Sequence, residues 1–157
     1  REWNLFDPAG WVRIGRYTPS SGEWVFYYYP LDEVTSPNGG WIGLSELTSL
    51  GGGRFAVIER DNQGGVDARV KRIYSFSVAG LEFKDDSQTP NFDVLAKVLE
   101  LDLFANDTFG PTGGPIPEKL EGLAVDSNGD ALIVNDNDGV DDNSGETQLL
   151  ELPGLFD

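Results

Sequence analysis

Histidine and cysteine are both absent from this chain. Without cysteine there is no disulfide and no thiol nucleophile, and thiol usage says nothing about the redox compartment. Without histidine the commonest general base and zinc ligand is missing, and a Ser-His-Asp triad is excluded. The nearest approach to a nucleophile elbow, Gly43-Leu44-Ser45-Glu46-Leu47, lacks its second glycine. Neither a P-loop nor a G-x-G-x-x-G fingerprint occurs. Any catalysis must use carboxylates, lysine or arginine, tyrosine, hydroxyls or a metal.

Basic residues are scarce. Eleven lysines and arginines against 27 acids give a net charge of −16. That field repels nucleic acid and anionic membrane surfaces. An anionic substrate is repelled as well, unless bound cations reverse the sign locally. Calcium would do so, and carboxylates are its natural ligands. Apolar runs fall far short of the ~20 residues of a membrane helix, so no membrane span is expected. The chain opens REWNLFDPAG, with neither methionine nor the apolar core of a signal peptide. A mature, processed or fragmentary chain is the expectation.

What is present reads as short strands cut by turns. A hydrophobic share of 39% with 11% aromatics argues against disorder, and 157 residues suit one domain. WVRIG (11–15) alternates, and in EWVFYYYPL (23–31) Trp24, Phe26 and Tyr28 share one face while Val25, Tyr27 and Tyr29 share the other. That strand is expected to be covered on both sides, its aromatics packing between layers. Segments 41–47, 54–60, 69–78, 121–126, 131–136 and 147–152 read as further strands. Turn signals separate them at Pro37-Asn38-Gly39-Gly40, Gly51-Gly52-Gly53 and Asn128-Gly129, the last a strong hairpin signal. Residues 92–104 suit a helix or a two-sided strand, and strand is preferred; 105–117 is loop by composition.

A weak internal repeat underlies this pattern. GLSELTSLGGGRFAVIERDNQGG begins at Gly43, and GLAVDSNGDALIVNDNDG begins at Gly122, 79 residues later. Both run Gly-Leu, strand, glycine turn, apolar strand, then Asp-Asn, at Asp61-Asn62 and Asp136-Asn137. Radial repetition of short strands is the propeller signature. Glu59, Arg60, Asp61 and Asn62 place charge at the end of an apolar strand, where burial is costly unless the charge is paired or metal-bound. Two readings are open: a surface or inter-blade ion pair with an Asx turn, or Glu59 and Asp61 on one side of the strand reaching a single cation while Arg60 points to the neighbouring blade. Glu121, Asp136, Asn137 and Asp138 form a second constellation, its ends joined by the Asn128-Gly129 turn, suited to calcium or to a solvated strand end. Neither DSNGD (126–130) nor DNDGVDDNSGE (136–146) fits the EF-hand spacing.

Taken together, GWIGLSEL…GGGRFAVIERDNQGG…KRIYSFSV, then EKLEGLAVDSNGDALIVNDNDG and TQLLEL, resemble the phytase-like family, described by the esterase-like activity of phytase. The likeness runs over residues 41–152. It implies an all-β fold of antiparallel β-propeller blades, with this chain the C-terminal part of a larger propeller completed by an N-terminal segment or partner chain. It also implies a secreted or periplasmic protein that binds calcium and hydrolyses a phosphate ester or other ester. On that implication Glu59, Asp61, Glu121, Asp136 and Asp138 are the metal ligands. Arg60, Lys71, Arg72 and Lys119, with Arg54, are the candidate contacts to a phosphate-ester small molecule. Alternation sends Lys71 and Arg72 to opposite faces. The competing reading is a non-catalytic extracellular propeller acting as a binding or structural module. Asn106-Asp107-Thr108 also fits a glycosylation sequon.

Overall fold

The computed structural model describes residues 7–81, 92–105, 119–137 and 147–157. The described residues are all-β, with ten strands in three sheets. In the first sheet β1 (Trp11–Thr18) pairs antiparallel with β2 (Glu23–Pro30), and β6 (Asp93–Val94) joins β2 in parallel. The second sheet has the order β3 (Ile42–Gly51), β4 (Arg54–Asp61), β5 (Lys71–Ser77) and β7 (Lys97–Asp102), every pair antiparallel. The third is the antiparallel set β8 (Leu120–Val125), β9 (Ala131–Asn135) and β10 (Leu149–Leu152).

Strand β4 shows why these sequences stack. Its residues alternate between two cores. Ala56 and Ile58 pack with Ile73, Leu103, Leu120, Leu123, Ala131 and Ile133, joining the second sheet to the third. Val57 packs with Tyr27, Tyr29, Tyr74, Phe76 and Leu95, joining the second sheet to the first. An apolar run with no polar alternation is what a sheet covered on both faces requires. The Gly51-Gly52-Gly53 turn that feeds β4 has φ of 82°, 60° and 81°, a backbone that residues with a Cβ rarely adopt.

The expected strand at 92–104 is two strands in two sheets. Leu95 lies buried between them, its N–H donating to the Tyr28 carbonyl at 2.8 Å. That inward turn ends β6 and lets β7 start again on the next sheet, so the segment crosses from the first sheet to the second. The parallel β2–β6 pair departs from the all-antiparallel expectation for the same reason. On the outer face of β2, cover is graded: Tyr28 is buried beside Trp11 and Phe92, while Trp24 is 51% exposed. Among the described residues the three sheets do not close on one another.

Ile73 touches the core shared by the second and third sheets. Ile73→Ala should lower stability by about 2–5 kcal/mol, read as a fall in the urea midpoint with an unchanged slope. A midpoint like that of the wild type would mean that the third sheet does not rest on the second.

Candidate functional site

The densest charge in the described residues lies where the first and second sheets meet. Glu59 continues the Val57 face of β4 and is fully buried. The Tyr29 hydroxyl, from the end of β2, donates to its Oε2 at 2.7 Å, and the Asp32 N–H donates to Oε1. Lys97, the first residue of β7, donates from Nζ to Glu59 Oε2 at 2.8 Å and to Asp32 Oδ1 at 2.7 Å. Its ammonium also sits 4.1 Å from the Tyr74 ring centroid and 5.1 Å from that of Tyr29. Arg72 lies opposite Glu59 in the β4–β5 ladder. It donates from Nη1 to Asp32 Oδ2 and from Nε to Asp102 Oδ2 at 2.8 Å, while the Tyr74 hydroxyl donates to Asp32 Oδ2 at 2.7 Å.

This arrangement pushes two neighbouring carboxyls in opposite directions. Burial alone would raise Asp32, but hydrogen bonds from Lys97, Tyr74 and Arg72 outweigh it and hold the carboxyl below its usual range. At Glu59 burial wins over the bonds from Lys97, the Asp32 N–H and Tyr29, and the carboxyl is raised. Burial and then the adjoining carboxylates push Tyr29 and Tyr74 upward. Arg72 is held charged by Asp102 and Asp32 against the effect of its own burial. The Arg72 side chain is 28% exposed and that of Asp32 19%. The seam therefore has a buried floor, Glu59, and an edge that solvent reaches.

Asp61 does something else. Its Oδ2 accepts from the N–H groups of Arg69, at 2.6 Å, and Val70, at 2.9 Å, while its own N–H donates to the Val70 carbonyl at 3.0 Å. Asn135 repeats that ring: its Oδ1 accepts from the Gln148 N–H at 2.6 Å, and its N–H donates to the Gln148 carbonyl at 3.3 Å. The ladders agree, pairing Gly43 with Arg60 and Gly122 with Val134. Asp61 thus corresponds to Asn135, one position earlier than the Asp61–Asp136 match suggested by sequence. The true counterparts are Asn62 and Asp136, whose N–H groups donate to the carbonyls of Trp41 and Lys119. In both repeats a buried Asx residue at a strand end fastens the chain arriving at the next strand.

The residues expected to gather at one cation go separate ways. Tyr29, Asp32 and Lys97 hold the Glu59 carboxylate; Lys71, Gln63, Arg69 and Val70 hold that of Asp61. Arg60 reaches across to the neighbouring sheet, where it meets Glu121 Oε1, and donates at 3.0 Å to Ser45 Oγ on β3 of its own sheet. Asp136 is exposed at the β8–β9 end. Among the described residues no three carboxylates converge, so Glu59 and Asp61 do not fit the calcium that the resemblance implies. Asp138 and the 106–108 sequon lie outside the described residues. Residues 126–130 form the β8–β9 turn, with Asp126 Oδ1 accepting from the N–H groups of Asn128 and Asp130. Lys71 and Arg72 do point opposite ways, and Arg72 is the one at the seam. Lys119 stands at the start of β8, opposite Asp136, and Arg54 is exposed at the start of β4.

Sequence reasoning missed Asp32, Lys97, Tyr29, Tyr74 and Asp102. The one available signal was Lys97 in an otherwise apolar-acidic segment, KVLELD. Asp32 contributes stability that is fully present above the unfolded carboxyl value of about 3.9 and is lost as pH falls through its lower folded value. Glu59, being raised, acts with the opposite sign. Asp32→Asn should lower stability at neutral pH and flatten its decline below about pH 4. Urea unfolding from acid to neutral pH reads this, and curves parallel to wild type would show Asp32 to be uncoupled from folding.

The comparisons with known proteins agree with these elements. A family model described as Phytase-like, esterase-like activity of phytase, matches residues 3–139. No curated protein and no solved structure matches the chain. The match takes in both hairpins of the repeat and extends to β1 and β2, ahead of residue 41, but ends at 139, short of the TQLLEL segment that the motifs had included. It includes every residue of the charged seam. The chain belongs to the phytase-like family.

Proposed function

We propose that this chain is part of a β-propeller that hydrolyses an ester, a phosphate ester being the favoured class, at the edge of the Asp32–Lys97–Arg72 seam. The observation that carries the reading is one ammonium shared by a buried carboxylate, Glu59, and a solvent-reached one, Asp32, beside the Arg72 guanidinium, in a family described by esterase-like activity. The opposed shifts of the two carboxyls agree with it. Environments that drive neighbouring titratable groups apart are characteristic of acid–base sites. Asp32, kept ionised and reached by solvent, would take a proton from an attacking water as that oxygen bonds to the ester's phosphorus or carbon. The bond to the alcohol oxygen breaks, and the departing oxygen recovers a proton from Asp32 or from solvent. Arg72 and Lys97 would stabilise the negative charge that develops on the ester oxygens and offset the repulsion of a chain at −16. Glu59, fully buried, is a positioning residue that holds Lys97 and the Asp32 backbone.

Calcium enters this proposal only as what the family likeness implies for the β8–β9 end, where Asp136 is exposed, Glu121 is shared with Arg60 and Asp138 follows in sequence. No step above is routed through it. Secretion and a segment that completes the ring come from the same family reading. A second reading, a non-catalytic module, is favoured by a specific observation. Each charged side chain at the seam already faces an opposite charge within it: Glu59 and Asp32 on Lys97, Asp32 and Asp102 on Arg72.

Turnover of p-nitrophenyl phosphate, with and without calcium, separates the two. Wild type should turn over, and Asp32→Asn should lose about 100-fold or more while still melting cooperatively. Arg72→Met should slow turnover at least as much as it weakens substrate binding. Absence of turnover from the folded wild type with calcium present would leave the structural module.

A further inference from the structure

Among the described residues two lysines, Lys71 and Lys97, are paired with carboxylate oxygens below the surface. Lys71 is the fully buried one. Its Nζ donates to Asp61 Oδ1 at 2.7 Å, to the Asp61 carbonyl at 2.9 Å and to the Gln63 carbonyl at 2.8 Å. One carboxylate with two backbone carbonyls is hard-oxygen chemistry of the kind that holds calcium. The second Asp61 oxygen faces the returning chain, binding the N–H groups of Arg69 and Val70. The β4–β5 loop, with its 3-10 turn Gly65–Asp67, is thereby gathered around one positive charge.

We infer that this cage is an ammonium site, and that Lys71 is the permanent cation of a loop for which the family likeness had suggested a metal. The charge balance favours it. One ammonium against one carboxylate leaves the buried cage neutral, since the Arg60 guanidinium that also reaches the Asp61 carbonyl is paired with Glu121. A divalent ion against the same carboxylate leaves an uncompensated positive charge in a position closed to water. Burying an unpaired charge costs several kcal/mol. The oxygen distances are those of charge-assisted N–H···O bonds. Because the cation is tethered to β5, closure of the loop does not depend on the calcium concentration. The Glu59–Asp61 strand end is thus metal-independent in a chain whose acidity invites the opposite conclusion.

Amide hydrogen exchange on the full chain tests this at Arg69 and Val70. In wild type their protection should be the same in EGTA and in millimolar calcium. A calcium-dependent change there would overturn the inference, whether or not any variant folds. Lys71→Ala should lose about tenfold or more of that protection, and methylammonium should restore it where calcium does not. Restoration by calcium in preference would make the cage a metal site. Restoration by neither would reduce Lys71 to a packing role and refute its part as the loop's cation. Phosphate-ester turnover is read separately, so failure of the hydrolase reading leaves these outcomes intact.

Discussion

One shared ammonium holds the first two sheets in register. Lys97 is bound at the same time by Asp32, just past the end of the first sheet, and by Glu59, in the middle strand pair of the second. Removing it would leave Glu59 buried with a full charge and only neutral donors, a state that costs several kcal/mol. The position of Lys97 in turn depends on the crossing at Leu95, which takes the chain from β6 to β7. The seam, the parallel β2–β6 pair and the burial of Tyr29 are therefore consequences of one another.

The strand-end clasps solve a related problem on the other side of each hairpin. A chain that leaves a buried strand must satisfy its backbone donors before it reaches the next. Asp61 and Asn135 do so with the same two-bond ring. They differ in charge because their surroundings differ: Asp61 has Lys71 beside it, and Asn135 is the uncharged form of the same device. The internal repeat is in this sense a repeat of backbone accounting, and side-chain chemistry varies on top of it.

For function, the interior ion pairs matter more than the surface charge. A net charge of −16 suggests a calcium protein, yet the buried acids at the β4 end, Glu59 and Asp61, are matched by Lys97 and Lys71. Such matching fixes groups in place and perturbs their protonation, and an acid–base site needs both. It also serves a purely structural seam, and for that reason turnover, rather than geometry, discriminates between the two.

The sequence by itself determined the strands, most of the turns and the family. Apolar runs bounded by glycine and asparagine turns leave little choice of local structure, and eight of the expected strand segments coincide with observed strands. Alternation also settled that Arg60 faces a neighbouring sheet and that Lys71 and Arg72 diverge. Only the tertiary structure decided the site. Asp32 and Lys97 are separated along the chain by 65 residues, and no local pattern encodes which carboxylate a distant ammonium will reach. The correspondence of Asp61 with Asn135, one residue off the sequence match, was hidden for the same reason, since it is fixed by the pairing of Gly43 with Arg60 and of Gly122 with Val134. Composition could count the carboxylates, but whether each faces a metal, a lysine or a backbone N–H is fixed only when the sheets pack.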